Sequence, residues 1–179
     1  MINFYNLRHA NKLGTELRLV DDRQLKQAVA AFSFITIPSI RDCQTRLLLY
    51  LESGQVAMMN KCLGQAESCF KAIISNISNG FNFFLLKYLF KKKKKNSFLD
   101  LNPGHDKWLV EYLPGLLSTV LIVPDNPEEG VLFIIKSSLN SINKYTWDQQ
   151  QGFKALALIS GIRLLATACQ GTYPYKYEV

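Results

Sequence analysis

Two histidines, four cysteines and two adjacent acidic pairs are the side chains in this sequence whose types suit chemistry. His105 is followed directly by Asp106, an imidazole beside a carboxylate, which is half of an acid–base dyad. The pair also opens the apolar run "HDKWLVEYL", where a carboxylate is stabilised by the positive end of a helix. A solvated helix start accounts for both residues without catalysis. His9 lies far away in sequence and has no acidic neighbour. Cys43, Cys62, Cys69 and Cys169 form no Cys-x-x-Cys pair and have no histidine at zinc-ligand spacing, so they read as reduced, mostly buried thiols. Asp21-Asp22 and Glu128-Glu129 each precede an apolar periodic stretch, where capping and the helix dipole explain them. Nucleotide-binding, zinc-protease and nucleophile-elbow patterns are absent. The residues give no catalytic, metal or cofactor site, and the chain is expected not to be an enzyme.

Charge narrows the partners. The 179 residues carry a net +7, of which Lys91 to Lys95 supply five, leaving an ordinary +2 elsewhere. A basic stripe along a helix, or aromatics interleaved with basic residues, would point to nucleic acid. Outside the lysine run there is neither, so no nucleic-acid partner is expected. The first residues lack the apolar core of a secretory signal. The longest greasy stretch, Phe81 to Phe90, would reach about 15 Å as a helix, half of a bilayer's hydrocarbon core.

The elements that position these residues read as helices throughout. Phe4, Leu7, Leu13, Leu17 and Val20 fall near one face of a first helix. Asp21 or Asp22 can cap a second, "RQLKQAVAAFSFITIP", which Pro38 stops. Within it "FSFITI" has strand-like composition but sits inside a 3.6-residue period. A third helix is expected from about Asp42 to Glu52, with Gly54 as a left-handed cap. A fourth is expected to carry one apolar seam through Val56, Met59, Leu63, Ala66, Phe70, Ile73 and Ile77. Pro114-Gly115 predicts a kink or break in the helix that starts near Trp108. The next helix is expected from the "VPDNPEEG" cap to about Asn143. The last runs from about Asp148 to Cys169, using Phe153, Leu156, Ile159, Ile162, Leu165 and Ala166.

The fold class is therefore all-α, an array of antiparallel helical hairpins forming one unit over residues 1–179. Tyr50, Gly54, Ala57, Ala66, Phe70 and Ile73 stand at the relative spacing of the tetratricopeptide consensus, where small residues permit close helix approach and aromatics fill the gaps. A single copy indicates helix-pair packing rather than that repeat family.

Two stretches go beyond periodicity. "FITIPSIRDCQTRLLLYLESGQVAMMNKCLGQAESCFKAIIS" and "EYLPGLLSTVLIVPDNPEEGVLFIIKSSLNSINKYTW" closely resemble the family of the large α-solenoid subunit of the retriever complex, the paralogue of retromer's large vacuolar-protein-sorting subunit. The "FITIPS" turn, the hairpin around "SGQVA", "VPDNPEEGVLF" and the following "YTW" carry the likeness. "TYPYKYEV" fits less well, Pro174 and Lys176 departing from the pattern. The resemblance implies a HEAT-like solenoid fragment that scaffolds endosomal recycling of membrane cargo, cytoplasmic and peripheral on endosomes. It also implies, as partners, a small phosphoesterase-fold subunit, an arrestin-like subunit and an assembly of coiled-coil and COMM-domain proteins. It supplies no catalytic or contact residue. The competing readings are a helical-repeat adaptor of another pathway, or a membrane-surface or nucleic-acid binder using Lys91 to Lys95.

Residues 80–97 have no counterpart in that likeness. Every residue from Phe81 to Asn96 is Phe, Asn, Leu, Lys or Tyr, each encodable by A and T alone. Translated intron sequence fits this bias, a genuine loop or a basic surface signal being the alternatives. The stretch is expected to be an exposed loop or a loose helix, and its excision to leave stability unchanged or improved.

Overall fold

The computed structural model describes residues 4–16, 22–91, 103–124, 129, 132–147 and 152–170. Among them are seven α-helices and no strand: α1 (Phe4–Glu16), α2 (Arg23–Thr36), α3 (Cys43–Met59), α4 (Leu63–Lys91), α5 (Pro103–Leu121), α6 (Phe133–Lys144) and α7 (Phe153–Ala168), with a 3-10 turn at Ile37–Ser39 after α2. The all-α fold class read from the sequence holds. The chain divides into two compact units, Met1–Asn76 and Ile77–Val179, α4 contributing residues to both.

In the first unit Asp22 forms the cap expected of Asp21 or Asp22, and Asp42, near which the third helix was expected to start, caps that helix. Asp22 accepts the Leu25 N–H at 2.9 Å and Asp42 accepts the Thr45 N–H at 2.8 Å, each satisfying a donor that the first helical turn leaves free. Asp21 lies outside the described residues. Pro38 ends α2 as expected, the chain tightening into the 3-10 turn, and "FSFITI" is helical up to Thr36. α1, α2 and α3 pack on one another. Their shared centre is polar: the Asn11 side-chain carbonyl accepts from Ser33 of α2 at 3.1 Å and from Ser53 of α3 at 2.9 Å. Of the apolar face expected for α1, Leu13 is exposed while Asn11 and Gly14 are covered, and the side chains of Phe4 and Leu7 lie outside the description. Leu17 and Val20 lie outside the described residues.

The largest departure from the sequence reading is the hairpin itself. α3 does not end at Gly54 but runs on to Met59, with Gly54 buried inside it. The turn is Asn60-Lys61-Cys62, and Lys61 takes the left-handed conformation at φ 59°. Asn60 fixes it by donating both to the Gly14 carbonyl of α1 at 2.7 Å and to the Val56 carbonyl at 2.9 Å. The seam expected on one helix is thus split between two. Val56 is only half-buried and Met59 is exposed, whereas Ala66, Phe70, Ile73 and Ile77 are buried on α4. A left-handed lysine costs about 1–2 kcal/mol that glycine avoids. Lys61→Gly is therefore expected to stabilise the chain by about 1 kcal/mol in urea titration, since Lys61 is exposed and loses no packing.

α4 continues as helix through Gly80 to Lys91, so of the two forms expected for the stretch from Phe81, a loop or a helix, the chain takes the helical one up to that point. Lys92 to Lys95 lie outside the described residues. In the second unit Pro114 sits inside an uninterrupted α5, not at a break between two short helices. The Gly115 carbonyl in the same turn accepts from the Ser118 and Thr119 hydroxyls. α6 begins at Phe133, after Leu132 in a left-handed conformation (φ 58°), later than the "PDNPEE" cap suggested. Residues 125–128 fall outside the description. α7 begins at Phe153 after Gly152 at φ 65°, and Asp148, from which the last helix was expected, lies outside the described residues. It packs on α5 and α6, with Gly161 admitting the Leu139 side chain to 2.8 Å of where a Cβ would stand.

Candidate functional site

Among the described residues, those whose types suit chemistry are not brought together. His9 is exposed on α1 and His105 lies in the first turn of α5, each in a different unit. Asp106 is not the solvated helix start expected. It is buried, and its carboxylate accepts the Tyr145 hydroxyl at 2.8 Å. Tyr145 in turn meets Trp147 edge-on at 4.6 Å, and the Trp147 indole N–H donates to the Ile142 carbonyl at 2.9 Å. The "YTW" triplet is therefore a plug that closes the end of α6 and fastens it to the start of α5. Removing the Tyr145 hydroxyl takes a hydrogen bond from a buried carboxylate. Tyr145→Phe should cost about 1–3 kcal/mol in denaturant unfolding.

The four cysteines are free thiols, Cys62 and Cys69 buried, Cys43 half-buried and Cys169 exposed, so the expectation of mostly buried thiols holds for two of them. Burial pushes the Cys69 thiol up to about 12 and the Cys62 thiol up as well, Lys26 and Arg23 partly offsetting the second. Both are the opposite of an activated nucleophile. Among the described residues no group of three His, Cys, Asp or Glu is arranged to hold a metal ion. No helix among them is long and apolar enough to cross a membrane.

A shallow groove of about 470 Å³ lies between α1 and α3. Arg8, Lys12 and Thr15 line one bank and Glu52, Gln55, Val56 and Met59 the other. Its charges are of both signs, and it holds no pairing of nucleophile and base. What the structure does build is surfaces for packing. The six positions at tetratricopeptide spacing, Tyr50, Gly54, Ala57, Ala66, Phe70 and Ile73, are all buried in the α3–α4 hairpin. The Phe70 ring lies on Gly54, its Cε1 2.6 Å from where a glycine-to-alanine change would place a Cβ. Tyr50 meets Phe34 of α2 at 6.1 Å between ring centres. Several large apolar side chains remain outside this packing: Leu25, Phe32 and Ile35 on α2, and Leu156, Leu158, Ile159, Ile162 and Leu165 on α7. Periodicity had placed most of the α7 group in the core, while Ala157, Gly161 and Leu164 are what α7 buries.

The family model for the VPS35L C-terminal domain matches residues 18–179. The chain belongs to that family. It is 42% identical over 154 residues to a VPS35 endosomal protein-sorting factor-like protein of Rattus norvegicus, covering 85% of this chain and 15% of the relative. The Homo sapiens protein of the same name is 41% identical over 152 residues, 85% of this chain and 14% of the relative. One of Drosophila melanogaster is 30% identical over 169 residues, 94% of this chain and 17% of the relative. The chain thus spans about one-sixth to one-seventh of the length of these curated relatives. Membership in the family agrees with the likeness read from "FITIPS", "VPDNPEEGVLF" and "YTW". In the structure the first of these is the α2 exit and its 3-10 turn, and the last is the Asp106 plug.

Proposed function

We propose that the chain is a non-catalytic scaffold element of an endosomal protein-sorting complex, built as a HEAT-like helical array. The observation that carries this reading is the match to the VPS35L C-terminal domain family over residues 18–179. Relatives named as endosomal protein-sorting factors support it. So does a fold whose buried groups are spent on joining helices, with large apolar side chains left on helix surfaces. In this reading the chain works in a retromer-like, retriever-type assembly that returns membrane cargo to the cell surface. It is held at endosomes peripherally, through its partners. Those partners are a small phosphoesterase-fold subunit, an arrestin-like subunit and a coiled-coil and COMM-domain assembly.

Co-expression with the phosphoesterase-fold subunit tests it. The two are expected to co-purify at equal stoichiometry, and the complex is expected to survive physiological salt. Replacing Lys91 to Lys95 with serine separates the scaffold from a charge-driven binder. A scaffold keeps its partner after the replacement, whereas binding of lipid or nucleic acid through the lysines loses affinity together with its salt dependence. Failure to co-purify, with the lysines intact and the chain folded by circular dichroism, overturns the proposal.

A further inference from the structure

From Arg8 to Glu16, α1 is held to the first unit by polar contacts. Only Asn11 and Gly14 are buried in that span, and its one large apolar side chain, Leu13, is exposed. A shallow groove of about 470 Å³ separates Arg8, Lys12 and Thr15 from Glu52, Gln55 and Met59 of α3, so the two helices do not close on each other there. What α1 covers is polar as well. Ser33 of α2 and Ser53 of α3 both donate to the Asn11 side-chain carbonyl, and Asn60 donates to the Gly14 carbonyl. Val29 and Val56, which flank Gly14, stay half-buried with α1 in place. Hydroxyls and amides find equivalent partners in water, so uncovering them costs little. Parting α4 from α3 would instead uncover the fully buried Phe70 ring.

The closed position also leaves the Asn11 Nδ2 buried with no partner among the described residues, a cost that lifting α1 relieves. The seat is selective all the same. A Cβ on Gly14 would stand 2.6 Å from Val56 Cγ1, on a stiff β-branched side chain, so glycine is what brings the Gly14 carbonyl to the Asn60 amide. Weak attachment on a selective seat makes a latch. We infer that α1 lifts from α2 and α3 and returns as a unit while the α3–α4 hairpin stays folded. The seam it uncovers, Ser33, Ser53 and Asn60, takes back a helix with asparagine three residues before glycine. A helix of 13 residues is marginal alone in water, so α1 gives up its own hydrogen bonds when it lifts.

Hydrogen exchange on the whole chain reads the opening. Amides of Arg8–Glu16 are expected to exchange roughly a hundredfold faster than those of Phe70 to Ile73, at a rate that barely changes in dilute urea because little surface is uncovered. Asn11→Ala is expected to speed α1 exchange about tenfold and to leave α4 exchange unchanged. Selectivity is read with a fluorescein-labelled peptide of residues 1–18, added to the whole chain carrying Gly14→Ala, whose own α1 no longer holds the seat. The peptide is expected to bind saturably, and the same peptide with Gly14→Ala to bind at least about tenfold more weakly. Equal protection of α1 and α4, or acceleration of both together by Asn11→Ala, overturns the latch. So does a Gly14→Ala chain that loses its α4 protection, since α1 is then an integral part of the unit. Equal binding of the two peptides, or binding of neither, overturns the selective seam.

Discussion

Replacing Phe70 with alanine is expected to remove about 3–5 kcal/mol of stability, a large share of what a chain of this size has. Phe70 has no accessible surface, and it stands between fully buried Cys69 and Ile73 on α4 with its ring on the Gly54 backbone of α3. Alanine would leave a void that the hairpin cannot close, because Gly54 has no side chain to extend into it. The reciprocal change tests the same contact from the other side. Gly54→Ala puts a methyl 2.6 Å from the ring edge, so the ring or the helices must shift. Overpacking of this kind costs about 1–3 kcal/mol. Phe70→Leu should be less harmful in the Gly54→Ala background than alone, since the new methyl fills part of the space the ring vacates. Coupling between the two changes is the signature of direct contact. A loss below about 0.5 kcal/mol for Phe70→Ala would mean that the ring is not the plug between α3 and α4.

The legible part of this hairpin was its side-chain chemistry. Tyr50, Gly54, Ala57, Ala66, Phe70 and Ile73 were marked by spacing and size, and all six are buried. Its turn was not legible. Apolar residues continue at intervals of three and four from Val56 through Met59 to Leu63, so periodicity runs across a break that it cannot register. What makes the break is Asn60 reaching the Gly14 carbonyl of α1, a contact between residues far apart in sequence. Asp106 was misread for the same reason, because its partner Tyr145 is thirty-nine residues away. On α7 the pattern was visible but the side was not. The eye chooses the arc with the largest side chains, whereas α5 and α6 take the arc with Ala157 and Gly161, where backbones can approach. The acidic pair before α2 was legible because its cap is local, Asp22 accepting from a residue three positions on.

The chain should also lose stability steeply as the solution turns alkaline, and the loss should trace to the first unit. Three groups there resist ionisation. The Cys69 thiol is pushed by burial from its ordinary 9.0 up to about 12. Tyr50 is raised by burial and by nearby Cys69, with Arg46 pulling the other way, and burial raises Cys62 above its ordinary range. In the unfolded chain each gives up its proton at its ordinary value, so between the two values only the folded chain retains it. The unfolded state then binds fewer protons, and stability falls with rising pH. For Cys69 the full contribution is present below about pH 9 and is lost as the pH rises through 12. Three units correspond to about 4 kcal/mol, enough to bring a marginal chain close to its midpoint. Urea midpoints between pH 8 and pH 11 check this. Cys69→Ala should flatten the slope, even though its smaller side chain lowers stability somewhat at neutral pH, and Tyr50→Phe should flatten it further by removing a second group of the same sign. An unchanged slope in the Cys69→Ala chain would mean that the thiol is reached by water in solution, and the tightly closed α3–α4 interior would have to be given up with it.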